Sequence, residues 1–311
     1  MKKRLLPFLL LLVIMLSACG NNDNAENTSN APEENATTET ITYQSETGPV
    51  EVPANPHRVI VLGMYAGNVK ALDVPVVGVD PWSKTNPRYE LDGVEEVTDE
   101  SLEKIIELEP DLIIGLSTSK NIDKLKQIAP VVTFTYGKVD YLTQHLEIGK
   151  LLNKEAEAQA WIDDFKQRAQ QAGEEIKAKI GEDATVSVIE NFNKELYVFG
   201  DNFGRGTEIL YQEMKLKMPD KVKETVQGNG YYSLSIEVLP EYAGDYLIVS
   251  KEEDNDTSFM ESETFKNIPA VKNNQTFVVN AEEFRYNDPI LLEYQLDFFI
   301  DSFSSGVRSK Q

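Results

Sequence analysis

One long charged stretch near the middle of the chain, residues 154–180, constrains the fold more than any other. It contains no proline and a single glycine, Gly173, and a second glycine, Gly181, follows its end. At about 1.5 Å per residue, a helix of this length would span roughly 40 Å, about the width of a domain. We therefore predict a stiff helix, capped by Asn153, that joins two halves of the molecule; the alternative is an ordinary amphipathic helix inside one domain. Its predicted buried face follows the helical period and consists of Trp161, Phe165, Ala169, Ala172, Ile176 and Ile180.

Short β-branched runs alternate with helical stretches on both sides of this central stretch, an order that favours parallel sheets flanked by helices. A small hairpin is predicted first, from residues 41–43 and 50–52. The expected fold is two α/β lobes bridged by one helix, with a ligand cleft between them. The predicted strands are 59–62, 76–79, 112–115 and 131–135 in the first half, and 186–190, 196–199, 246–250 and 276–279 in the second. The predicted helices are 68–72, 102–108 and 122–128 in the first half, and 207–213, 236–241 and 290–303 in the second.

The first twenty residues have the pattern of a secretory signal. A basic start precedes an apolar run over residues 5–16, and small residues follow before Cys19. The Leu-Ser-Ala sequence in front of that cysteine resembles the bacterial lipoprotein box, in which the cysteine is lipidated and becomes the new N-terminus. We expect a signal peptide over residues 1–18 and a disordered tether over residues 19–42. A transmembrane helix ending at Cys19 is the alternative, but the apolar run is too short to span a bilayer. The two acyl chains of the lipidated Cys19 would instead hold the protein on the outer face of the cell membrane.

The composition excludes several kinds of partner and site. A formal net charge of −22 repels phosphate backbones, so nucleic acid is a poor partner. Cys19 is the only cysteine, which rules out an internal disulfide and a thiolate cluster for zinc or iron–sulfur. The only histidines are His57 and His145.

The motifs of the common enzyme classes are missing as well. The sequence has no Gly-x-Ser-x-Gly nucleophile motif, and no Walker or dinucleotide glycine loop follows a predicted strand. We expect a protein that is not an enzyme and has no cofactor. A surface hydrolase or glycosyltransferase is the remote alternative, because two α/β lobes also serve enzymes.

The richest candidate site is residues 197–207, where a predicted strand ends among glycines. These glycines let the backbone turn closely and present Phe203 and Arg205 before a helix. The fork of an arginine suits bidentate oxygen acceptors. A second aromatic cluster, residues 284–289, precedes the last predicted helix. Further aromatic residues fall at predicted strand-to-helix connections, where open α/β sheets bind ligands; they are Tyr65, Trp82, Tyr136, Tyr231 and Tyr232.

One pattern occurs once in each half. Glu103 follows a serine and a leucine ahead of one predicted strand, and Glu237 follows a serine and an isoleucine at the same offset ahead of another. A serine can cap a helix whose first turn then holds the glutamate. We interpret the two glutamates as a matched pair of acidic knobs, one on each lobe; the alternative is that glutamate simply favours helix starts.

Several stretches together resemble the ferric siderophore-binding lipoproteins of ABC importers, specifically the FhuD-like hydroxamate binders of Gram-positive bacteria. The resemblance covers the chain from about Tyr43, and its most specific stretches are residues 197–206, 241–246, 109–114 and 286–289. It implies two Rossmann-like lobes joined by a single long helix, the architecture of class III periplasmic binding proteins. The expected boundaries are 43–143 for the N-terminal lobe, 144–181 for the interlobe helical region and 182–311 for the C-terminal lobe.

The resemblance also implies roles for individual residues. Arg205 would donate to the hydroxamate oxygens around the iron, which the siderophore already saturates, so that the protein supplies no metal ligand. Glu103 and Glu237 would dock onto arginines of an ABC permease of the FhuB/FhuG kind. The other implied or candidate ligand-binding residues are Tyr197, Phe203, Tyr136, Tyr286, Arg285, Tyr65 and Trp82.

Two positions depart from the family pattern. Phe203 stands where some relatives carry tryptophan, and Arg285 stands where an aromatic residue is common. An extra cation at Arg285 would favour a more anionic ligand, such as a citrate-based hydroxamate. A catecholate, ferric citrate or corrinoid receptor is the alternative within the same class, and we expect a monomer.

Overall fold

The computed structural model describes residues 39–192, 195–252 and 256–305. The predicted signal peptide, the lipidation site Cys19 and the predicted tether as far as residue 38 lie outside the described residues. The first strand begins at Thr40, inside the stretch expected to be tether. Among the described residues, no helix combines the length and the apolar character that a membrane crossing requires.

The N-terminal lobe contains a five-stranded, all-parallel sheet with the strand order β5-β4-β3-β6-β7. The predicted antiparallel hairpin, β1 with β2, precedes it. All four predicted strands of this half are confirmed, and the two-residue strand β5 was not predicted because its Glu-Glu sequence has no strand pattern. The strands are β1 (Thr40–Ser45), β2 (Gly48–Pro53), β3 (Val59–Leu62), β4 (Val76–Val79), β5 (Glu95–Glu96), β6 (Leu112–Leu116) and β7 (Val131–Phe134). The helices are α1 (Ala66–Lys70), α2 (Pro81–Lys84), α3 (Leu102–Glu107) and α4 (Ile122–Leu125).

Two helices, α5 (Tyr141–Leu151) and α6 (Glu155–Ile180), lead to the C-terminal lobe, whose sheet has the order β10-β9-β8-β11-β12. We expected the parallel pattern to repeat here, and that is wrong for one strand. β9 runs antiparallel to both of its neighbours, β8 and β10, since only two residues separate β8 from β9 and a parallel crossover needs a dozen or more. The strands are β8 (Val186–Phe192), β9 (Glu195–Phe199), β10 (Tyr231–Leu234), β11 (Tyr246–Lys251) and β12 (Thr276–Asn280). The helices are α7 (Asp220–Thr225), α8 (Glu263–Lys266), α9 (Pro269–Lys272), α10 (Ala281–Phe284) and α11 (Pro289–Ser305).

Two predicted helices of this lobe take other forms. Residues 208–213 form a π-helical turn. Residues 236–238 form a turn that continues into a short 3₁₀ helix, Leu239–Glu241. Pro240 lies inside this second segment and cannot donate a backbone hydrogen bond there, so a regular α-helix is not expected to extend through it.

Helix α6 confirms the predicted central helix and its buried face. Phe165 and Ile176 are buried in the core of the C-terminal lobe, and Trp161 and Ile180 pack against that core while partly exposed. Ala158, near the start of the helix, belongs to the core of the N-terminal lobe. The helix is therefore shared by the cores of both lobes.

Two sequence features of α6 have structural explanations. A Cβ atom at Gly173 would lie 2.4 Å from the Met214 carbonyl oxygen, so the glycine permits close contact with the C-terminal lobe. The predicted Asn153 cap is wrong, because Lys154 occupies the N-cap position and provides no side-chain cap. Asn153 instead has a left-handed backbone, φ 57°, which reverses the chain in the tight turn after α5; asparagine tolerates this conformation.

Helix α11 is a second element common to both lobes. Leu291 belongs to the core of the N-terminal lobe, while Leu292, Leu296 and Phe299 belong to the core of the C-terminal lobe. The first turn of α11 therefore sits at the junction of the lobes.

A buried carboxylate fixes that junction. Asp288 is 1% exposed, and its Oδ1 accepts the N–H groups of Ile290 at 3.1 Å and Leu291 at 3.3 Å, at the start of α11. Its Oδ2 accepts the hydroxyl of Tyr89, from the N-terminal lobe. A Cβ atom at Gly67 in α1 would lie 2.0 Å from Asp288 Oδ1, so only glycine fits there. We call this contact between Asp288 and Tyr89, with Gly67, the interlobe lock.

Two further contacts join the lobes beside the lock. Asn86 Nδ2 donates to the Glu282 carbonyl at 2.7 Å, and Arg88 Nε binds Glu283 Oε1 at 2.6 Å. The lobes are therefore held by side chains as well as by the two shared helices.

The lock predicts a pH dependence of stability. Burial raises the pKa of Asp288 from its ordinary value of 3.8 to about 6. A folded state with a raised carboxyl pKa binds the proton more tightly than the unfolded state, so its stability falls as the pH rises between the two values. The difference corresponds to about 3 kcal/mol. Position 288 carries no titrating carboxyl in Asp288→Asn. The unfolding free energy of the wild type minus that of the variant should therefore fall by about 3 kcal/mol from about pH 3 to about pH 7.

Denaturant unfolding of both proteins at several pH values measures this difference, and all other titrating groups cancel in the comparison. Asp297→Asn on the exposed face of α11 is the control for the loss of one charge. A difference that stays constant across this pH range would contradict the account of Asp288.

Candidate functional site

A cleft of about 710 Å³ opens between the lobes. Its walls include Tyr65, which follows β3, and Tyr136, which follows β7, on the side of the N-terminal lobe. The C-terminal lobe contributes Asn202, Glu208 and other residues of the segment between β9 and α7. In the N-terminal lobe the cleft therefore lies at the carboxyl ends of parallel strands, as expected for an open α/β sheet.

A continuous row of aromatic rings includes Phe203, the neighbour in sequence of the cleft residue Asn202, but none of the rings in the row is among the residues that line the cleft. The ring centroids of Phe199 and Phe203 are 5.8 Å apart, those of Phe203 and Tyr231 are 4.9 Å apart, and those of Tyr231 and Tyr197 are 5.9 Å apart. We call these four residues the aromatic strip. Tyr231 and Tyr232 were predicted at a strand-to-helix connection, which is wrong because both lie in β10. Tyr232 is not part of the strip, since it stacks on Tyr242 instead.

Arg205 lies against the strip in an unusual backbone conformation. Gly204, Arg205 and Gly206 all have positive φ angles, between 59° and 79°. A Cβ atom at Gly204 would lie 2.1 Å from the Arg285 carbonyl oxygen, and one at Gly206 would lie 2.5 Å from the ring of Phe299. Only glycine can therefore flank Arg205, whose own N–H donates to the Phe284 carbonyl at 2.6 Å. This turn brings the segment after antiparallel β9 back to the segment between α10 and α11.

The guanidinium of Arg205 is held by a buried carboxylate that the sequence analysis did not assign to the site. Its Nε and Nη2 bind Glu190 Oε2 and Oε1 at 3.1 and 2.6 Å, and Ser250 Oγ donates to the same carboxylate at 2.5 Å. Glu190 is 0% exposed and the side chain of Arg205 is 13% exposed. The guanidinium carbon lies 4.7 Å from the centroid of the Phe199 ring. A third N–H group, at Nη1, donates to the Phe203 carbonyl at 3.1 Å. Three of the five N–H groups of Arg205 thus have protein acceptors, and the side chain is oriented before any ligand binds.

Tyr136 and Tyr286 both lie within the electrostatic influence of Arg205. Burial, followed by the Glu208 carboxylate, raises the pKa of Tyr136, and the charge of Arg205 opposes that rise. Burial, followed by Asp80, raises the pKa of Tyr286, and Arg285 and Arg205 oppose it. Tyr136 is 55% exposed, so its ring is available to a ligand.

A smaller pocket of about 390 Å³ contains the remaining candidates, Trp82, Arg285 and Tyr286. Trp82 is 54% exposed, and the Arg285 guanidinium carbon lies 4.6 Å from the centroid of its ring. Arg285 was predicted to be an extra cation that favours a more anionic ligand, and that preference stays a prediction. Arg285 binds the carboxylate of Glu252, which offsets its charge.

His145 is a core residue rather than a metal ligand. Burial lowers the pKa of His145 to about 4, so the imidazole is neutral at physiological pH. Its Nδ1 lies 3.1 Å from Asn68 Oδ1, and its ring contacts Trp161 with centroids 5.2 Å apart. No group of three or more His, Cys, Asp or Glu side chains that could hold a metal ion occurs in the part of the chain that the structure describes.

The two acidic knobs are both exposed, although neither has the predicted serine cap. Glu103 lies in the first turn of α3, where the Ser101 side chain makes no cap hydrogen bond. Glu237 lies in a turn rather than a helix, and a hydrogen bond from the Ser235 side chain lowers its pKa. The strands that follow the two glutamates are β6 and β11, and each is the fourth strand in the order of its own five-stranded sheet. The structural equivalence of the two glutamates therefore comes from the sheets rather than from matching helices.

Comparison with known proteins gives consistent matches over nearly the whole chain. Residues 59–283 match the family described as periplasmic binding protein. The chain is 38% identical to the iron(3+)-hydroxamate-binding protein FhuD of Bacillus subtilis, over 96% of each chain, and 37% identical to the iron(3+)-hydroxamate-binding protein YxeB of the same organism, over 97% of each. Its fold matches FhuD2 of Staphylococcus aureus with bound ferrioxamine B, with a TM-score of 0.77, 34% identity, and coverage of 81% of this chain and 100% of that one.

Proposed function

We propose that this chain, which belongs to the periplasmic binding protein family, is a non-catalytic receptor that binds ferric hydroxamate siderophores between its lobes and delivers them to an ABC permease. The observation that carries the proposal is the arrangement of Arg205, which Glu190 orients against Phe199 of the aromatic strip, in the segment after β9 whose residues Asn202 and Glu208 line the interlobe cleft. Two relatives of this chain are named as iron(3+)-hydroxamate-binding proteins. A solved structure of similar fold holds ferrioxamine B.

The chemistry of such a complex fits the residues present. Ferric iron in a trihydroxamate is already surrounded by ligand oxygens, so a receptor needs a donor for those oxygens and apolar surface for the carbon skeleton. Arg205 has two N–H groups without a protein acceptor in the described part of the chain. Tyr197, Phe203 and Tyr231 offer aromatic surface beside it, and Tyr136 and Tyr286 lie within reach of its charge.

The arrangement favours hydroxamates over catecholates. A ferric catecholate carries several negative charges and calls for several converging cations. Arg205 is paired with Glu190 and Arg285 with Glu252, so neither adds a full positive charge to the site. A complex of low net charge is the better match.

We also propose that lipidation at Cys19 anchors the receptor to the outer face of the cell membrane. The basis is the sequence pattern around that cysteine alone. Two acyl chains suffice for stable attachment.

We predict that Arg205→Lys weakens the binding of ferrioxamine B by about tenfold or more, because the lysine keeps the charge beside Glu190 but loses the planar fork. Arg205→Ala should weaken binding further, although it also leaves Glu190 buried without its cation. Quenching of Trp82 fluorescence during titration measures the affinity. Arg168→Lys on α6, whose partners are Asp164 and Glu293, is the matched control. Unchanged binding in the Arg205→Lys protein would overturn the assigned role.

The two exposed glutamates generate a separate prediction about delivery. Glu103→Ala combined with Glu237→Ala should leave ferrioxamine B binding intact and abolish uptake. The reason is that the family resemblance implies that these two glutamates contact arginines of the permease. Uptake of radioactive iron by cells that carry only the variant receptor is the measurement. Glu96→Ala with Glu224→Ala removes one exposed glutamate from each lobe and is the control. Normal transport by the Glu103 and Glu237 variant would show that the docking assignment is wrong.

A further inference from the structure

The interlobe cleft of about 710 Å³ differs in chemistry from the aromatic strip, none of whose four residues is among those that line it. This region, which we call the polar arm, lies between α1, α5, α6 and the π-helical turn at residues 208–213. Tyr136 connects the arm to Arg205, because it lines the arm and the charge of Arg205 opposes the rise of its pKa. Most other lining side chains are polar or charged, in contrast to the rings of the strip.

Two donors in the wall of the arm lack acceptors. Tyr65 is 3% exposed, and its hydroxyl has no hydrogen-bond partner within the described residues. The side-chain amide nitrogen of Gln144, from α5, is also buried and without a partner there. A buried donor left unpaired costs free energy that a ligand oxygen can recover.

The buried acids of the arm, in contrast, already have donors. Glu208 Oε1 accepts the Gly204 N–H at 3.0 Å and the Asn287 amide at 2.8 Å. Glu213 Oε1 accepts the Tyr141 hydroxyl at 2.9 Å. The remaining acids of the lining are Asp140, whose oxygens cap the start of α5, and the exposed Asp201. Each of the two buried acids therefore accepts at least one donor of the protein itself.

Two of the three lysines that line the arm have no acidic partner. Lys138 binds Glu46, but Lys166 on α6 and Lys215 after the π-helical turn are exposed and form no ion pair within the described residues. Unpaired cations are notable on a chain with a net charge of −22. They would attract an anionic group toward the unpaired donors.

We propose that the polar arm binds a carboxylate group carried by the siderophore, with Lys166 and Lys215 attracting it and the Tyr65 hydroxyl and Gln144 amide as its hydrogen-bond donors. This proposal rests on the proposed function, because the same ligand must place its iron centre beside Arg205. The preferred substrates would then be hydroxamates that bear a free carboxylate. The preference would come from the polar arm and not from Arg285.

Three ferric complexes with one iron centre test the proposal. Ferrioxamine B ends in a free ammonium group, its N-acetyl derivative is neutral at that end, and its N-succinyl derivative ends in a carboxylate. Wild-type protein should bind the N-succinyl complex about tenfold more tightly than the N-acetyl complex, the gain expected for one hydrogen bond to a charged group. Ferrioxamine B should bind more weakly than the N-succinyl complex. Fluorescence titration of the same protein with each complex gives the ratios.

The ratio of the N-succinyl to the N-acetyl affinity is the readout for the variants. In Lys166→Gln with Lys215→Gln, the ratio should fall by about tenfold, toward one. The matched control is Lys179→Gln with Lys223→Gln, which removes the same charge from exposed positions outside the cleft and should preserve the wild-type ratio.

Tyr65→Phe provides an independent check. It should lower the ratio while the thermal unfolding temperature stays equal to that of the wild type or rises, because the hydroxyl it removes has no partner among the residues that the structure describes.

The outcomes separate this inference from the proposed function. Equal binding of the three complexes by wild-type protein, or tightest binding of ferrioxamine B, would overturn the carboxylate preference and leave the receptor function standing. A ratio unchanged by the lysine variant would also overturn it. Failure of all three complexes to bind would instead refute the proposed function.

Discussion

The structure depends on a buried contact between the two lobes. The Asp288 carboxylate caps the start of α11 and accepts the hydroxyl of Tyr89 from the opposite lobe, in a space that exists because Gly67 has no side chain. A flexible linker between lobes would allow a hinge to close, whereas α6, α11 and this lock tie the cores together. The cleft is therefore expected to have its binding shape before a ligand arrives, which reduces the free energy that binding must spend on ordering the protein.

Preorganisation extends to the cation of the site. Glu190 and Ser250 hold the Arg205 guanidinium against Phe199, so that its remaining N–H groups have a fixed direction. Burying the pair costs desolvation energy, and such pairs are a poor source of stability. A functional explanation is therefore the more economical one: the carboxylate positions the arginine and lowers the net charge of the site. That combination suits a ferric complex whose iron charge is already balanced by its own oxygens.

The sequence predicted those parts of the fold that follow from local periodicity. The stripe of α6 and the β-branched runs were sufficient for the lobes. The direction of β9 was readable from the sequence, because the five residues between the predicted strands 186–190 and 196–199 are too few for a parallel crossover; the π-helical turn was missed because helix type is set by tertiary contacts. The sequence placed Arg205 and Tyr136 as candidates, but the partners Glu190, Glu252 and Tyr89 come from distant parts of the chain. The one sequence signal for these partners was Glu190, a charged residue at the end of the apolar run 186–190, because a buried charge needs a partner.

The central claim is that the lobes keep one relative position with and without ligand. Spin labels at positions 96 and 224, one exposed site in each lobe, would report it by pulsed electron resonance, after Cys19, the only native cysteine, is replaced by serine. The account predicts one narrow distance distribution whose maximum shifts by less than about 2 Å when ferrioxamine B binds. A broad distribution in the free protein that narrows and shifts by several ångströms on binding would contradict it.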